Sequence, residues 1–360
     1  MDRRDTPDAA ESDASHAWRD LGRALVVAHL PDESGAAERL PAGTVDEVRD
    51  RFHASLGEPL PFSILVANSG VPPEAAEVLA VALACETDTA VVRLLAAADP
   101  SRPRLTVGHV IDIDGERGAR ALGPDAALRA AALVDVVEEG AFVDHRVVVP
   151  PALTWALLGD PSVDPELPAD ADEVVAEEMV ADEMVDADFD DSAGAGLVVV
   201  SGGDRALRRH HGARRGAGER FLAVAAPTSD VGWAAVVRDA TITGRGVIVE
   251  VDERLGDLGR RWIERADHLT WVISSRTAPA IAELPRRPWV EVAVTPREVS
   301  DREWRAALGD VGRTHRLTHD QLATVERVMP AVGGDLDAAV RRLVSGRMEQ
   351  LARRIRPTRH

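Results

Sequence analysis

Five short apolar segments between residues 197 and 294 constrain the fold of this 360-residue chain most strongly. They are "LVVVS" (197–201), "RFLAVAA" (220–226), "GVIVEVD" (246–252), "LTWVISS" (269–275) and "WVEVAV" (289–294). The stretches between them, such as "DVGWAAVVRDA" and "ERLGDLGRRWIERA", have the apolar spacing of helices. Nearly continuous apolar strands that alternate with helices predict a parallel sheet covered by helices. We therefore predict an α/β fold with additional helical parts.

Helical patterns flank this α/β segment on both sides. Before it, "AWRDLGRALVVAHL" and "TVDEVRDRFHASLG" predict two short helices, and "PPEAAEVLAVALACETDTAVVRLLAAAD" predicts one continuous helix. Three more helices are predicted at "LTVGHVIDI", "PDAALRAAALVDVV" (124–137) and "PALTWALLG", the last preceded by the β-rich "FVDHRVVVPPA". Helices followed by a short β element and another helix resemble a winged helix. After Pro296, "SDREWRAAL", "THDQLATVERVMPAV" and "DLDAAVRRLVSGRMEQLARRI" predict a closing group of helices.

Much of the negative charge lies in one segment. Residues 164–191 contain thirteen acidic and no basic residues, in a chain whose net charge is −19. Like charges keep such a segment extended, which predicts a solvated linker; the alternative is a partner-binding helix that uses the interspersed Met179, Val180, Met184, Val185 and Phe189. The predicted organisation is a disordered tail (1–16), a helical and winged-helix-like domain (17–162), an acidic linker (163–195), an α/β domain (196–297) and a helical lid (298–360).

The composition also bears on partners and compartment. A net charge of −19 disfavours binding to nucleic acid or to an anionic membrane. The segment 124–137 has Arg129 as its one basic residue, which argues against a DNA-recognition helix. Neither a membrane-spanning run nor a secretory signal pattern is found, and the single cysteine, Cys85, lies in an apolar helical pattern typical of a core position. We therefore predict a cytoplasmic protein without disulfides.

Two strand ends and the segment before a third strand carry polar residues that resemble the motifs of AAA-type ATPases. The strand "VIVEVDE" ends in Asp252–Glu253, which resembles a Walker B motif, whose aspartate holds Mg²⁺ and whose glutamate polarises the attacking water. The next strand ends at Ser274 and Ser275, where this family has a polar sensor residue. Arg286 and Arg287, in "LPRRPWVEV", resemble the arginine finger that such modules extend to a neighbouring subunit.

The loop after the first strand departs from that pattern. A phosphate loop has the form G-x-x-x-x-G-K-S/T, in which backbone N–H groups surround the phosphates and the lysine reaches the β- and γ-phosphates. The chain has no lysine, since all 42 basic residues are arginine, and the guanidinium of Arg205 is no substitute for a compact ammonium. We predict no catalytic residue in this chain. We also predict a degenerate phosphate loop, which consists of Ser201, Gly202, Gly203, Asp204 and Arg205.

Two pairs of histidines are candidate metal ligands. His210 and His211 are adjacent, so on a helix their side chains point about 100° apart and do not readily share an ion. His315 and His319 are four residues apart and could face one ion, but the sequence offers no evident third ligand. We predict no metal site in this chain.

Together these features resemble bacterial AAA-family ATPases that have a winged-helix N-terminal region, a degenerate first ATPase module and an intact second one. Some of these are encoded with contractile injection systems. The resemblance rests on "VPPALTWALLGDPSVDPELP", "VVVSGGDRALRRHH", "VIVEVDE" and "LARRIRPTRH". In such proteins the last segment leads into the catalytic module, so ATP hydrolysis is expected only where a second module follows residue 360. Two possibilities stay open: the chain is a fragment of a longer ATPase, or it is a naturally short relative.

The leading hypothesis is a non-catalytic regulatory or assembly portion of an AAA-type ATPase that recruits protein partners or forms a homo-oligomeric ring. ATP and Mg²⁺ are expected to bind weakly at most, and no other cofactor is expected. One alternative is a nucleotide-sensing or weakly active ATPase module. The other is a winged-helix regulator that binds DNA, which the charge disfavours.

Overall fold

A computed structural model describes residues 16–29, 44–160, 163–176, 196–295, 297–312 and 315–343. The chain divides into two compact units. The first comprises the described residues up to Ala169 together with Pro227–Arg245 and Leu258–Leu269, and the second comprises Asp170–Ala226, Gly246–Asp257 and the described residues from Thr270 onward. The α/β segment predicted at 196–297 thus contributes to both units, and the predicted domain boundaries stay predictions.

The helices are numbered here in chain order. In the first unit they are α1 (Ala17–Ala28), α2 (Val45–Ser55), α3 (Pro61–Ser69), α4 (Pro73–Thr87), α5 (Thr89–Ala98), α6 (Val107–Ala121), α7 (Ala127–Ala130), α8 (Pro151–Leu157) and α10 (Asp230–Thr243). Helix α11 (Asp257–Arg265) begins at the last residue of a second-unit segment. In the second unit they are α9 (Arg205–Arg215), α12 (Asp301–Leu308), α13 (His319–Val328) and α14 (336–343). Short 3-10 helices occur at Phe142–Asp144, Ile281–Glu283 and Met329–Val332.

The first unit has one main hydrophobic core formed by helices α1 to α6 and the segments after them. Leu21, Phe52, Leu79 and Leu83 are fully buried in it. The ring of Phe52 makes an edge contact with that of Phe62 at a centroid distance of 5.7 Å, and Trp18 stacks on the same Phe62. The predicted helices at the start of the chain are confirmed by α1 and α2.

Two helix predictions in this unit are wrong in their extent. The helix predicted to run through 72–99 is broken at Asp88, whose side chain accepts hydrogen bonds from the N–H groups of Ala90 and Val91 and so begins α5. The helix predicted over 124–137 shrinks to α7, because Ala132 has φ of 53°, outside the right-handed helical region. The following residues form strand β1 (Asp135–Val137), antiparallel to β2 (Arg146–Val148).

The beginning of the acidic segment is folded, which corrects the prediction of a solvated linker from residue 163. Asp164 is buried and accepts hydrogen bonds from the buried guanidinium of Arg238 in α10, at 2.8 Å from Nε. Within this unit α10 is held further by Asn68, whose amide donates to the Thr241 carbonyl at 3.1 Å. Burial of this aspartate requires a partner of opposite charge, which Arg238 supplies.

The second unit contains a six-stranded sheet in the order β3-β5-β6-β7-β4-β8. Its strands are β3 (Asp172–Val175), β4 (Leu197–Gly202), β5 (Arg220–Ala225), β6 (Gly246–Val251), β7 (Trp271–Ser275) and β8 (Val290–Val294). The five predicted strands are confirmed as β4 to β8 and are parallel, which confirms the α/β class with helical parts. Strand β3 was missed because it lies in the acidic segment, and it pairs antiparallel with β5 at the sheet edge.

Two hydrophobic clusters complete the second unit. Leu207 and Ala213 of α9 pack with Val200, Ile248 and Val272 of the sheet. Helices α12, α13 and α14 form a separate cluster; its members include Trp304, Leu308, Leu322, Val325 and Leu336. These helices lie in the segment predicted as a helical lid, and the role of a lid stays a prediction.

No helix in the described ranges is both long enough and apolar enough to cross a membrane.

Candidate functional site

The candidate site lies at the carboxyl edge of the sheet, where β4 and β7 are neighbours. After β4 the chain passes beyond β7 and β6 to reach β5, whereas after β7 it passes β4 to reach β8. Connections from two adjacent parallel strands therefore leave in opposite directions. In open α/β sheets, ligands bind in the crevice outside the carboxyl ends of such a pair. The predicted phosphate loop after β4 lies at this place.

Two glycines shape that loop. Gly202 has φ of +85° and Gly203 has φ of +54°, values that side chains other than glycine rarely allow. A Cβ on Gly202 would lie 2.5 Å from the carbonyl oxygen of Val294, and one on Gly203 would lie 2.7 Å from Cγ1 of the same residue. The glycine pair is thus needed for close approach of the loop to the end of β8.

The guanidinium of Arg208 binds the backbone of the loop. Its Nη1 donates to the carbonyl oxygens of Gly202 at 3.2 Å and Gly203 at 3.0 Å, and its Nε donates to Oγ of Ser274 at 3.0 Å. Arg208 and Ser274 are both buried. The predicted sensor-like Ser274 therefore binds a side chain of the protein itself, while Oγ of Ser275 donates to the Thr277 carbonyl at 2.7 Å.

The N-terminus of α9 already binds a carboxylate. The backbone N–H of Arg205 donates to Oδ2 of Asp320 at 3.0 Å, and that of Ala206 donates to Oδ1 at 2.7 Å. Free N–H groups at a helix N-terminus favour anions, and in phosphate loops they bind phosphate. Here Asp320, from the first turn of α13, occupies that position.

A second aspartate makes the reverse contact. Asp204 is the N-cap residue of α9 but makes no side-chain cap to its own helix. Its Oδ2 instead accepts from the backbone N–H of His319, the first residue of α13, at 3.0 Å. The two helices α9 and α13 thus exchange carboxylates at their N-termini.

Glu250 is a carboxylate of β6 at this edge, and its side chain is 11% exposed. It forms ion pairs with Arg205 and with Arg209, the latter at 2.5 Å between Nε and Oε1. Burial tends to lower the pKa of Arg205, but the hydrogen bond from its side chain to Glu250 raises that pKa above the usual arginine value. The predicted Walker B residues Asp252 and Glu253 are instead exposed in the loop beyond β6.

A buried histidine connects the site to α12. His319 is 3% exposed, and its Nε2 lies 3.2 Å from Oε1 of Glu303. Burial favours a higher pKa for Glu303, but hydrogen bonds from the Arg297 side chain and from Ser300 lower the pKa to about 2. Glu303 is therefore a carboxylate over the whole physiological pH range, and it holds both His319 and Arg297.

The predicted histidine pairs are not assembled into a metal site. Burial lowers the pKa of His210 to about 4, with smaller contributions from His211, Arg214 and Arg297. His315 binds Asp337 at 2.7 Å, whereas His319 binds Glu303. Among the described residues, no group of three or more histidine, cysteine or acidic side chains could hold a metal ion.

Arg286 and Arg287 lie at the other edge of the sheet. They precede β8, and Nη2 of Arg287 would lie 3.3 Å from a Cβ on Gly196, immediately before β4. The length of β4, roughly 3.3 Å per residue, therefore separates them from Gly202 at the carboxyl edge. The structure does not bring these arginines together with the other predicted site residues, and their role towards a neighbouring subunit stays a prediction.

Several residues of this site were missed in the sequence, among them Arg208, Glu250 and Asp320. Glu250 had a usable signal, because an acidic residue inside the apolar run "VIVEV" calls for a buried partner. Arg208 and Asp320 had none, since their contacts depend on how the elements pack. In the assembled site the N–H donors at the starts of α9 and α13 bind the carboxylates of Asp320 and Asp204.

Comparisons of this chain with protein-family models, with curated proteins and with solved structures found no match. The resemblance to AAA-type ATPases therefore remains a proposal.

Proposed function

We propose that this chain is a non-catalytic regulatory or assembly portion of an AAA-type ATPase, in which the α/β module is a scaffold that does not turn over ATP. The observation that carries the proposal is the carboxylate of Asp320 on the N–H groups of Arg205 and Ala206, at 3.0 and 2.7 Å. These are the N–H groups that a nucleotide phosphate would need. A protein carboxylate in that position supports a module that is stable without nucleotide.

The charge at the site supports the same conclusion. A triphosphate placed there would meet Asp204 and Asp320 at short range, and like charges at such distances repel. Arg208 is committed to Ser274 and to two carbonyl groups, so it is not available to neutralise phosphate. No lysine exists in the chain to replace it.

The strand order adds support to the ATPase resemblance at the level of fold. Strand β4 lies inside the sheet, between β7 and β8. The degenerate loop follows β4 at the place where the connections from β4 and β7 leave in opposite directions. The antiparallel pair β1–β2, extended by the bridge between Thr106 and Arg146, likewise supports a winged-helix-like arrangement in the first unit. In the segment 124–137, the one basic residue, Arg129, lies 4.0 Å from the carboxylate of Asp135, which favours a structural or protein-contact role over DNA binding.

The test is calorimetric titration of the chain with Mg-ATP, with light scattering to measure mass. We expect no binding heat and no change in melting temperature up to millimolar nucleotide. ATP turnover that disappears in Glu253→Gln would contradict the proposal, because it would make the exposed glutamate a working Walker B residue. Tight Mg-ATP binding without turnover would favour the nucleotide-sensing alternative, and steeply salt-dependent binding to duplex DNA would favour the DNA-binding one.

A further inference from the structure

The contacts between α9 and α13 differ from ordinary helix capping. Helix α13 is capped within its own chain segment, because the Thr318 side chain accepts from the N–H of Gln321 and the Gln321 side chain accepts from the N–H of Thr318. Asp320 is therefore not needed to begin its own helix. Its two oxygens are directed to the first turn of α9, which has no side-chain cap of its own.

We propose that Asp204 and Asp320 form a crossed latch, in which each carboxylate binds the first turn of the other helix and holds α13 against the loop after β4. The latch rests on the proposed function, because it takes the place that a bound phosphate would have between these two helices. In a module that binds nucleotide, a phosphate group can provide this link and its loss can release the lid. Here the link is built from the chain itself and needs no bound ligand.

The electrostatics of the latch are favourable for both carboxylates. Each lies at a helix N-terminus, where the helix dipole stabilises negative charge. Asp320 accepts from two backbone N–H groups and Asp204 accepts from one. Arg205 and Arg208 interact with the charge of Asp320 and offset its repulsion with Asp204. Two carboxylates are therefore accommodated at a place where a phosphate would bring a similar charge.

His319 makes the latch continuous with α12. Its backbone N–H is the donor to Asp204, and its buried ring reaches Glu303 of α12. The ring nitrogen Nδ1 lies 3.6 Å from the same oxygen of Asp204. Opening the latch would therefore disturb α12 and α13 together.

Amide hydrogen exchange of Asp320→Ala, Asp204→Ala and the double variant tests the latch, with Asp310→Ala as the control. Asp310 is an exposed aspartate of the same helical region. Loss of Asp320 should accelerate exchange of the Arg205 and Ala206 amides about tenfold, and the control should leave them unchanged. Asp204→Ala should accelerate the same two amides, although Asp204 does not accept from them, because the latch opens as a unit.

The double variant should then exchange hardly faster than either single variant. Effects confined to the amides that lose their own acceptor would overturn the latch and leave two independent caps. If Asp320→Ala does not fold, Asp320→Asn takes its place, because it keeps the shape of the side chain and one oxygen acceptor. Asp320→Asn should show the same pattern of faster exchange at smaller amplitude. Unchanged exchange in Asp320→Asn would also overturn the proposal. ATP binding by the wild-type chain would instead contradict the proposed function, so the two failures are distinguishable.

Discussion

The loops that follow β4 and β6 end at the same edge of the sheet but differ in how they are held. In the loop after β4, Gly202 and Gly203 are in the left-handed region, and the buried Arg208 binds both of their carbonyl groups. In the loop after β6, Asp252 and Glu253 are exposed, and a Cβ on Gly256 would meet nothing within 4 Å. The loop with the weaker motif is the one that the structure constrains.

This difference shows that the match of a loop to a sequence motif does not indicate how many contacts hold that loop in place. The Asp-Glu pair after β6 matches a Walker B motif in letters, but the carboxylate that binds arginines at this edge is Glu250, inside the strand. The loop after β4 lacks the lysine of a phosphate loop, yet the N–H groups of Arg205 and Ala206 still bind an anion. The geometry of an anion site is thus retained with a ligand from the chain itself.

The sharpest test of this contrast replaces one glycine in each loop. Gly202→Ala should destabilise the protein by about 3 kcal/mol, because it combines an unfavourable φ with a 2.5 Å approach to the Val294 carbonyl. Gly256→Ala should stay within about 1 kcal/mol of the wild type, since its position is open. Urea unfolding of both variants measures the difference, and equal losses would mean that the two loops are equally constrained.

A smaller effect is expected from neutralising one glutamate on each side of the end of β6. Glu250→Gln should cost about 2 kcal/mol, because the largely buried carboxylate pairs with Arg209 and with the more exposed Arg205. Glu253→Gln should change the free energy of unfolding by about 0.5 kcal/mol or less. Thermal unfolding at low and high salt measures both, and a larger loss for Glu253→Gln would reverse the comparison.

The smallest effect is a pH dependence contributed by α9, the helix that follows the constrained loop. Burial, with smaller contributions from neighbouring positive charges, lowers the pKa of His210 from 6.5 to about 4. The unfolded chain therefore binds more protons than the folded chain between these values, so stability falls as the pH falls from about 6.5 to about 4. His210→Gln should make the melting temperature less dependent on pH in that window.

The measurement compares melting temperatures of the wild type and His210→Gln at several pH values between 7 and 4. Below this range Glu303 adds a second loss, because its folded pKa of about 2 lies under the usual value of 4.5. Identical pH profiles for the two proteins would show that His210 is not kept neutral by the fold.

The sequence predicted the regular elements well where periodicity was strong. Strands β4 to β8 were located because continuous apolar runs indicate buried parallel strands. Prediction failed at 124–137, where a backbone turn at Ala132 replaces helix by β1, and at β3, where four residues in an acidic segment lack an apolar pattern. Such short elements are stabilised by their strand partners, so local patterning does not identify them.

The candidate site was predicted in position but not in its contents. Gly202, Gly203 and Asp204 were recognised from the strand, turn and helix pattern, which is local. Asp320 was not, because its bond to Arg205 joins residues 115 positions apart. Likewise the buried pair of Asp164 and Arg238 spans 74 positions, so composition described its acidic partner as solvated.

By itself the sequence determined the α/β class and the absence of a phosphate-loop lysine, because both follow from residue types and their local order. Only the tertiary structure decided what the retained loop binds. An N-terminal turn of a helix needs an acceptor for its N–H groups, and any nearby anion can serve. Which anion lies there depends on the packing of a distant helix, and packing brings Asp320 to α9 and Asp204 to α13.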